Sequence, residues 1–325
     1  MQAAQNILVT GATGFLGAHL VGALRRAGDT VISLARAESN LSRLHSIGGD
    51  HAAEICALED RAALTALIAR TQPDTIFHLA GDTSVRHFSG DWQAVDRAQS
   101  ANVSNSLNLL RAAMESGAPV KRIIRTGGLE EYGDGPKPAS ETQATAPTSP
   151  YSASQAAVTG WFSALQHQTP IMLTTLRPAL VYGPGQGGGF LIPALIAALL
   201  RKDVFAMGDG LQRRDLLYVD DMIAAFMLTR HRNDLRGAVI NISSGKAQAM
   251  RSVALKIGSL LGATDLLKFG AIPGRAMDLD EVSGTNALAL ARLGWAPQVL
   301  LDDGLRRTID AVLREHQATA PEPGK

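Results

Sequence analysis

The residues Thr10-Gly11-Ala12-Thr13-Gly14-Phe15-Leu16-Gly17 have the composition and spacing of a phosphate-binding turn. They follow the apolar run Ile7-Leu8-Val9 and open an amphipathic stretch that ends near Gly28. A strand, a glycine turn and a helix are therefore written in order. Gly11 suits the tight turn, Gly14 lets backbone approach a pyrophosphate, and Gly17 lets the helix lie close on the strand. The helix start offers unpaired N–H groups and a positive dipole end to phosphates. A bound dinucleotide makes hydride transfer the first chemistry to consider.

The second strand of such a unit ends at the adenosine ribose. An acid there bonds the 2′-hydroxyl of NAD, whereas an arginine accommodates the 2′-phosphate of NADP. Here the strand reads Val31-Ile32-Ser33-Leu34-Ala35-Arg36, with Ala35 where the acid would stand. A guanidinium grips phosphate bidentately, so Arg36 predicts NADP(H), with NAD(H) the alternative. Arg43 either assists at that phosphate or is a solvated helix residue. Asp60 either lies near the adenine or caps the next helix.

These residues need a frame. Strand-like runs at Thr30–Leu34, Ala53–Leu58, Thr75–Ala80, Arg122–Thr126 and Met172–Leu176 alternate with helical stretches at Arg61–Thr71, Asp96–Ser116 and Ser152–Gln168. That rhythm predicts an α/β fold, a Rossmann-type doubly wound parallel sheet. Its ligands sit beyond the carboxyl ends of the strands. The glycine loop Gly183–Gly189, a helix Phe190–Leu200, a helix Asp220–Thr229, a strand Val239–Ile242 and helices Met250–Leu261 and Gly304–His316 follow. The expected plan is a dinucleotide-binding domain over 1–176, joined by parts of 214–245. A smaller C-terminal substrate lobe would cover 177–316, with a disordered tail over 317–325.

Composition narrows the class. Net charge is +1, and no basic block suggests nucleic acid or an anionic membrane. No apolar run approaches a membrane span, and the start lacks the build of a signal peptide. Cys56 is the single cysteine, so no intrachain disulfide or cysteine metal cluster is expected. The eight histidines are scattered, and no metal site is expected. The plain expectation is a soluble cytoplasmic protein.

Six motifs in order give the chain a strong resemblance to the extended short-chain dehydrogenases/reductases, the family of nucleotide-sugar epimerases, dehydratases and 4-keto reductases. Besides the glycine turn they are His78-Leu79-Ala80-Gly81, Asn102-Val103 leading to Asn108-Leu109-Leu110, Arg177-Pro178 through Tyr182-Gly183-Pro184, Arg214–Asp221, and Leu293-Gly294-Trp295-Ala296-Pro297. Tyr151-Ser152-Ala153-Ser154-Gln155 stands where the family's YxxxK segment belongs. The resemblance implies a cofactor held by Gly11, Thr13, Gly14, Phe15, Leu16, Gly17, Arg36, Leu58, Leu79, Ala80, Gly81, Asn102, Tyr151, Gln155 and Pro178. It implies that Tyr151 exchanges a proton with the substrate oxygen while hydride moves at a sugar carbon.

Two positions depart from the family. Its lysine helps the tyrosine by charge and holds the nicotinamide ribose; Gln155 can do only the second. Tyr151 would then stay protonated more of the time, which suits reduction of a ketone. The family's Ser or Thr, four residues before the tyrosine of its xYG segment, is Gly128 here. Thr126, or a water on Gly127 or Gly128 N–H, would take over. Glu130 aligns with the glutamate of sugar-nucleotide 4,6-dehydratases, but Glu130-Glu131-Tyr132-Gly133 also resembles a 4-keto reductase. Both acids read equally as solvated loop residues.

On the substrate side the resemblance assigns the diphosphate to Arg214 and Arg275, and the sugar to Thr83, Ser84 and Val85 beside Asp82. Phe190 lines the base pocket or is core. The family often has asparagine where Leu180 stands. The expected function is hydride transfer at a ring carbon, C4, of a nucleotide sugar, with 4-keto reduction ahead of dehydration and epimerisation, in a homodimer built on Asp96–Ser116 and Ser152–Gln168. The alternatives are a reductase of a non-nucleotide carbonyl and a catalytically silent cofactor-binding protein.

Overall fold

A computed structural model describes residues 4–84, 88, 90–273 and 279–319, the last five as backbone. The first half runs β1 (Asn6–Thr10), α1 (Phe15–Arg26), β2 (Thr30–Ala35), α2 (Ser42–Gly48), β3 (Ala53–Ile55), α3 (Arg61–Thr71) and β4 (Thr75–His78). It continues with α4 (Trp92–Ala98), α5 (Asn105–Glu115), β5 (Arg122–Thr126), α6 (Pro150–Leu165) and β6 (Met172–Pro178). Then come β7 (Leu180–Tyr182), α7 (Leu191–Leu200), β8 (Phe205–Ala206), β9 (Arg213–Tyr218), α8 (Val219–Thr229) and β10 (Val239–Ile242). The chain ends with β11 (Ala247–Ala249), α9 (Met250–Leu260), β12 (Leu267–Lys268), β13 (Glu281–Val282), α10 (Ala287–Leu293) and α11 (Leu301–Thr319).

Seven parallel strands form the central sheet in the order β10-β6-β5-β4-β1-β2-β3. The expected doubly wound Rossmann-type sheet is thus present. Strand order reverses between β1 and β4, and a ligand crevice opens at such a switch point. Both sheet faces are covered, which is why the strands read as apolar runs rather than alternations. Ile7, Val9, Phe77 and Ile124 pack toward α1, α7 and α8. Leu8, Ile76, Ile123 and Leu173 pack toward α3, α5 and α6. Side chains alternate across a strand, so Arg125 falls on the α6 side with Ile123. β9 carries a smaller sheet, with β11 antiparallel and β7 and β13 parallel to it.

Several expected elements have other bounds: the strands read over Ala53–Leu58 and Thr75–Ala80 end at Ile55 and His78, and the helix read over Ser152–Gln168 spans Pro150–Leu165. The helix read over Asp96–Ser116 starts at Trp92 and is interrupted by a π-helical turn, Gln99–Ser104, between α4 and α5. The last helix spans Leu301–Thr319, so Gln317, Ala318 and Thr319 belong to it rather than to a tail. Asp302 and Asp303 in its first turn complement the helix dipole. No helix among the described residues is long and apolar enough to cross a membrane.

Candidate active site

The crevice at the β1/β4 switch point is a cleft of about 630 Å³. Its lining includes Gly11, Thr13, Gly14, Arg36, Leu58, Leu79, Ala80 and Gly81. These are eight of the residues expected at the cofactor. Gly11 has φ +68°, and a β-carbon there would collide with the Leu79–Ala80 backbone. A β-carbon on Gly17 would strike the Gly11 carbonyl oxygen. The turn is therefore built of glycine for close backbone contact. No side chain caps α1, and its first turn holds no acid. A helix start left open in this way fits a pyrophosphate. Phe15 and Leu16 are half-buried in that first turn, and Gly17 is buried beneath it.

Below the cleft a chain of neutral hydrogen bonds ties the turn to β4. Thr10 Oγ1 lies 2.7 Å from His78 Nδ1, and His78 Nε2 lies 2.9 Å from Ser106 Oγ. Ser106 donates to the Asn102 carbonyl, so the histidine proton sits on Nε2 and Thr10 donates to Nδ1. Burial first, and the Arg125 charge second, push the His78 pKa down to about 3. Asn102 sits in the π-turn. It accepts from Asp82 N–H at 2.7 Å and donates to Ser154 Oγ at 2.8 Å. It thereby ties the end of β4 to α6.

The start of α6 places Tyr151. Ser149 caps the helix by accepting from Ser152 N–H, and Pro150 occupies the first turn. Tyr151 is half-buried there, and Gln155 follows on the same face, buried. A β-carbon on Gly81 would lie 3.8 Å from Gln155 Nε2, so the amide reaches the rim of the cleft.

Beneath Gln155 lies a charged cluster that the sequence reading missed. Glu131 is fully buried, not a solvated acid, and its carboxylate takes four hydrogen bonds. They come from Gly128 N–H at 3.0 Å, Thr159 Oγ1 at 2.8 Å, and Arg177 Nε and Nη2 at 3.0 and 2.7 Å. A β-carbon on Gly127 would collide with Glu131 Oε1. Gly127 is thus required by this acid, whereas a side chain at 128 would meet only Glu130, at ordinary contact distance. Arg177 also lies over the Tyr132 ring, 4.5 Å from its centroid. Burial works to lower the Arg177 pKa, but the Glu131 carboxylate raises it overall. Arg125, fully buried, donates through Nη1 to Thr159 Oγ1 at 2.9 Å and through Nη2 to Gln155 Oε1. Burial lowers the Arg125 pKa to about 10, so the guanidinium stays charged near neutrality. The available signal was a charged residue inside the central strand Arg122–Thr126, where burial on both faces demands a partner.

The other expected residues are placed as follows. Thr126 ends β5, half-buried. Glu130 is half-buried, and a β-carbon on Gly128 would lie 3.7 Å from its Oε2. The acid thus stands where the family's hydroxyl would project. Pro178 ends β6 beside Ile242 of β10. Thr83 and Ser84 are exposed past β4, and Ser84 bonds Asp82 Oδ1. Phe190 precedes α7 as its cap position. Arg214 donates to the carbonyls of Arg213 and Leu279, each at 2.8 Å. Val85 and Arg275 lie outside the described residues. Asp60 is settled as the α3 cap, accepting from Ala63 N–H at 3.0 Å. Arg43 is not simply solvated: it bonds the carbonyls of Thr13 and Gly185 at 3.1 and 2.8 Å, tying the glycine turn to the loop after β7.

Fold and cleft together define a dinucleotide-binding α/β protein. The chain belongs to the NAD dependent epimerase/dehydratase family, whose model matches residues 7–243. It is 32% identical over 311 residues to a UDP-glucose 4-epimerase of Mycolicibacterium smegmatis, covering 93% of this chain and 97% of that one. Its structure resembles a UDP-glucose 4-epimerase of Thermotoga maritima solved with UDP-glucose, at TM-score 0.87 and 27% identity, covering 95% and 99% of the two chains. It also resembles the dTDP-glucose 4,6-dehydratase DesIV of Streptomyces venezuelae solved with NAD, at TM-score 0.85 and 25% identity, covering 96% and 98%.

Proposed function

We propose that this protein is a nucleotide-sugar enzyme that exchanges hydride at a ring carbon, C4, using NAD(P)(H). The observation that carries the reading is Gln155 Nε2 at the cleft rim beside Gly81, with Tyr151 one helical turn earlier. That arrangement supports a nicotinamide ribose on Gln155 and a substrate oxygen on Tyr151. The bound cofactor would supply the hydride chemistry. Tyr151 would hold or release the proton on the substrate oxygen, favoured as phenolate by its place at the positive end of α6. Glu130 would orient or deprotonate the substrate beside Gly128. Gln155 alone would keep Tyr151 an acid and favour 4-keto reduction; the buried Arg125 behind it removes that bias, so the direction of reaction is left to the sugar.

Arg214 is the proposed diphosphate ligand, a guanidinium fork suited to phosphate oxygens. A saturating nucleoside diphosphate (UDP, GDP, CDP or dTDP) should raise the thermal midpoint, since a ligand at a hundredfold excess over Kd adds about 2.7 kcal/mol. Arg214→Ala should lose that protection. No shift with any of the four would reject the nucleotide-sugar reading.

Arg36 supports NADP(H) as the cofactor. Its guanidinium is exposed at the cleft, 3.1 Å from Glu38, with no acid at Ala35. NADPH should bind about tenfold tighter than NADH, and Arg36→Ala should erase the difference. Tighter NADH binding, abolished by Glu38→Ala, would instead assign the ribose to Glu38. Exposed Met114 on α5 and Trp161 on α6 support a homodimer through those helices.

A further inference from the structure

Arg125 is the one member of the cluster whose charge is not matched by a carboxylate. Glu131 and Arg177 form a pair at 2.7 Å with side chains 1% and 4% exposed. Among the described residues no carboxylate lies within the 4.0 Å ion-pair distance of Arg125. Its guanidinium meets Thr159, Gln155 and, at 5.9 Å from the ring centroid, Phe162. The cluster therefore holds two guanidinium groups against one carboxylate: Glu131 attracts Arg125 from beyond ion-pair distance, and a net positive charge remains in an interior where charge interactions are weakly screened. An arginine can only donate hydrogen bonds. Gln155 must turn its oxygen toward Arg125, and its NH₂ then faces Gly81 and the cleft.

We infer that Arg125, acting through Gln155, replaces the lysine of the family's YxxxK segment, the two residues dividing its work. The guanidinium supplies the cation that favours the Tyr151 phenolate, and the Gln155 amide supplies the hydrogen bond to the cofactor ribose. Arg125 is thus a positioning residue that touches neither substrate nor cofactor. The inference rests on Tyr151 as the proton-exchanging group. The elements packed against α6, among the described residues, carry Glu130, Glu131 and Tyr132 in the turn after β5, Arg177 on β6, and Asp96 and Arg97 on α4, and Arg125 of β5 reaches α6 at Gln155 and Thr159. Tyr151 lies within charge range of Arg125: after Glu131, it is the group that most favours the charged guanidinium, and the attraction is mutual. The placement also explains why Gln155→Lys alone should not restore the family's chemistry. It would set two cations against each other in a buried site.

The test is the ultraviolet titration of tyrosinate in the full-length protein. The chain has four tyrosines. Burial raises the ionisation of Tyr132, Tyr182 and Tyr218. Tyr151→Phe identifies the Tyr151 step by removing it. A nearby cation favours the phenolate, so removing it moves the step upward. Arg125→Met should raise the Tyr151 step by about one to two pH units, and Arg125→Met with Gln155→Lys should bring it back down. Gln155→Glu, which neutralises Arg125 in place with little risk to folding, should raise it by a similar amount. Gln155→Met should leave the step low while weakening dinucleotide binding about tenfold. An unmoved Tyr151 step in both Arg125→Met and Gln155→Glu would overturn the inference. Absent turnover of every nucleotide sugar, with these shifts intact, would overturn the functional proposal and leave the Arg125 inference standing.

Discussion

Glu131→Ala is expected to destabilise the protein by about 3–5 kcal/mol, the range for removing one partner of a buried ion pair. The reason is the arithmetic of charge rather than lost contacts. The substitution strands Arg177, whose side chain is 4% exposed, and leaves Arg125 close by with no intervening acid. It also leaves Gly128 N–H without its acceptor. At about 2–4 °C per kcal/mol for a chain somewhat smaller than this one, the midpoint should fall by roughly 10 °C. Thermal or urea denaturation measures it. The double substitution Glu131→Leu with Arg177→Met should recover much of the loss, because apolar replacement of a buried pair is often neutral. A loss below about 1 kcal/mol in Glu131→Ala would mean that water reaches the cluster and screens it.

Tyr151→Phe is expected to lower the rate of hydride transfer by about 10²–10⁴-fold, the usual worth of a positioned acid or base. The ring remains, so the packing at the start of α6 and the cap at Ser149 should be undisturbed. Dinucleotide affinity should change little, because Gln155 and the glycine turn are intact. Steady-state rates and cofactor fluorescence titration separate the two effects. A fall of less than tenfold would move the proton to Glu130, whose carboxylate stands beside Gly128.

What could be read in advance divides by distance along the chain. The glycine turn was legible because Gly14 and Gly17 answer to the Gly11 carbonyl within seven residues and Gly11 to its own positive φ. The strands were legible because a sheet covered on both faces requires apolar runs. The α6 start was read two residues late, at Ser152, because the Ser149-Pro150 cap signal was not singled out. The π-turn was not, since Gln99-Ser100-Ala101-Asn102-Val103-Ser104 keeps an ordinary helical pattern of polar and apolar residues. The charged cluster was out of reach for a different reason. Arg125 meets Thr159 and Gln155 across 34 and 30 residues, and Glu131 meets Arg177 across 46. No local rule pairs them. The two departures from the family were visible as absences at 128 and 155; what fills the gaps became visible only when β5, β6 and α6 were brought side by side.

The collision between a side chain at Gly127 and the Glu131 carboxylate has an evolutionary consequence. The two positions are epistatic, because a lineage that gains any side chain at 127 must already have shed the acid at 131. Shedding that acid first strands a buried arginine. The shortest routes out of this architecture therefore pass through poorly folding intermediates, and the pairing of Gly127 with Glu131, once established, is held in place by a ratchet.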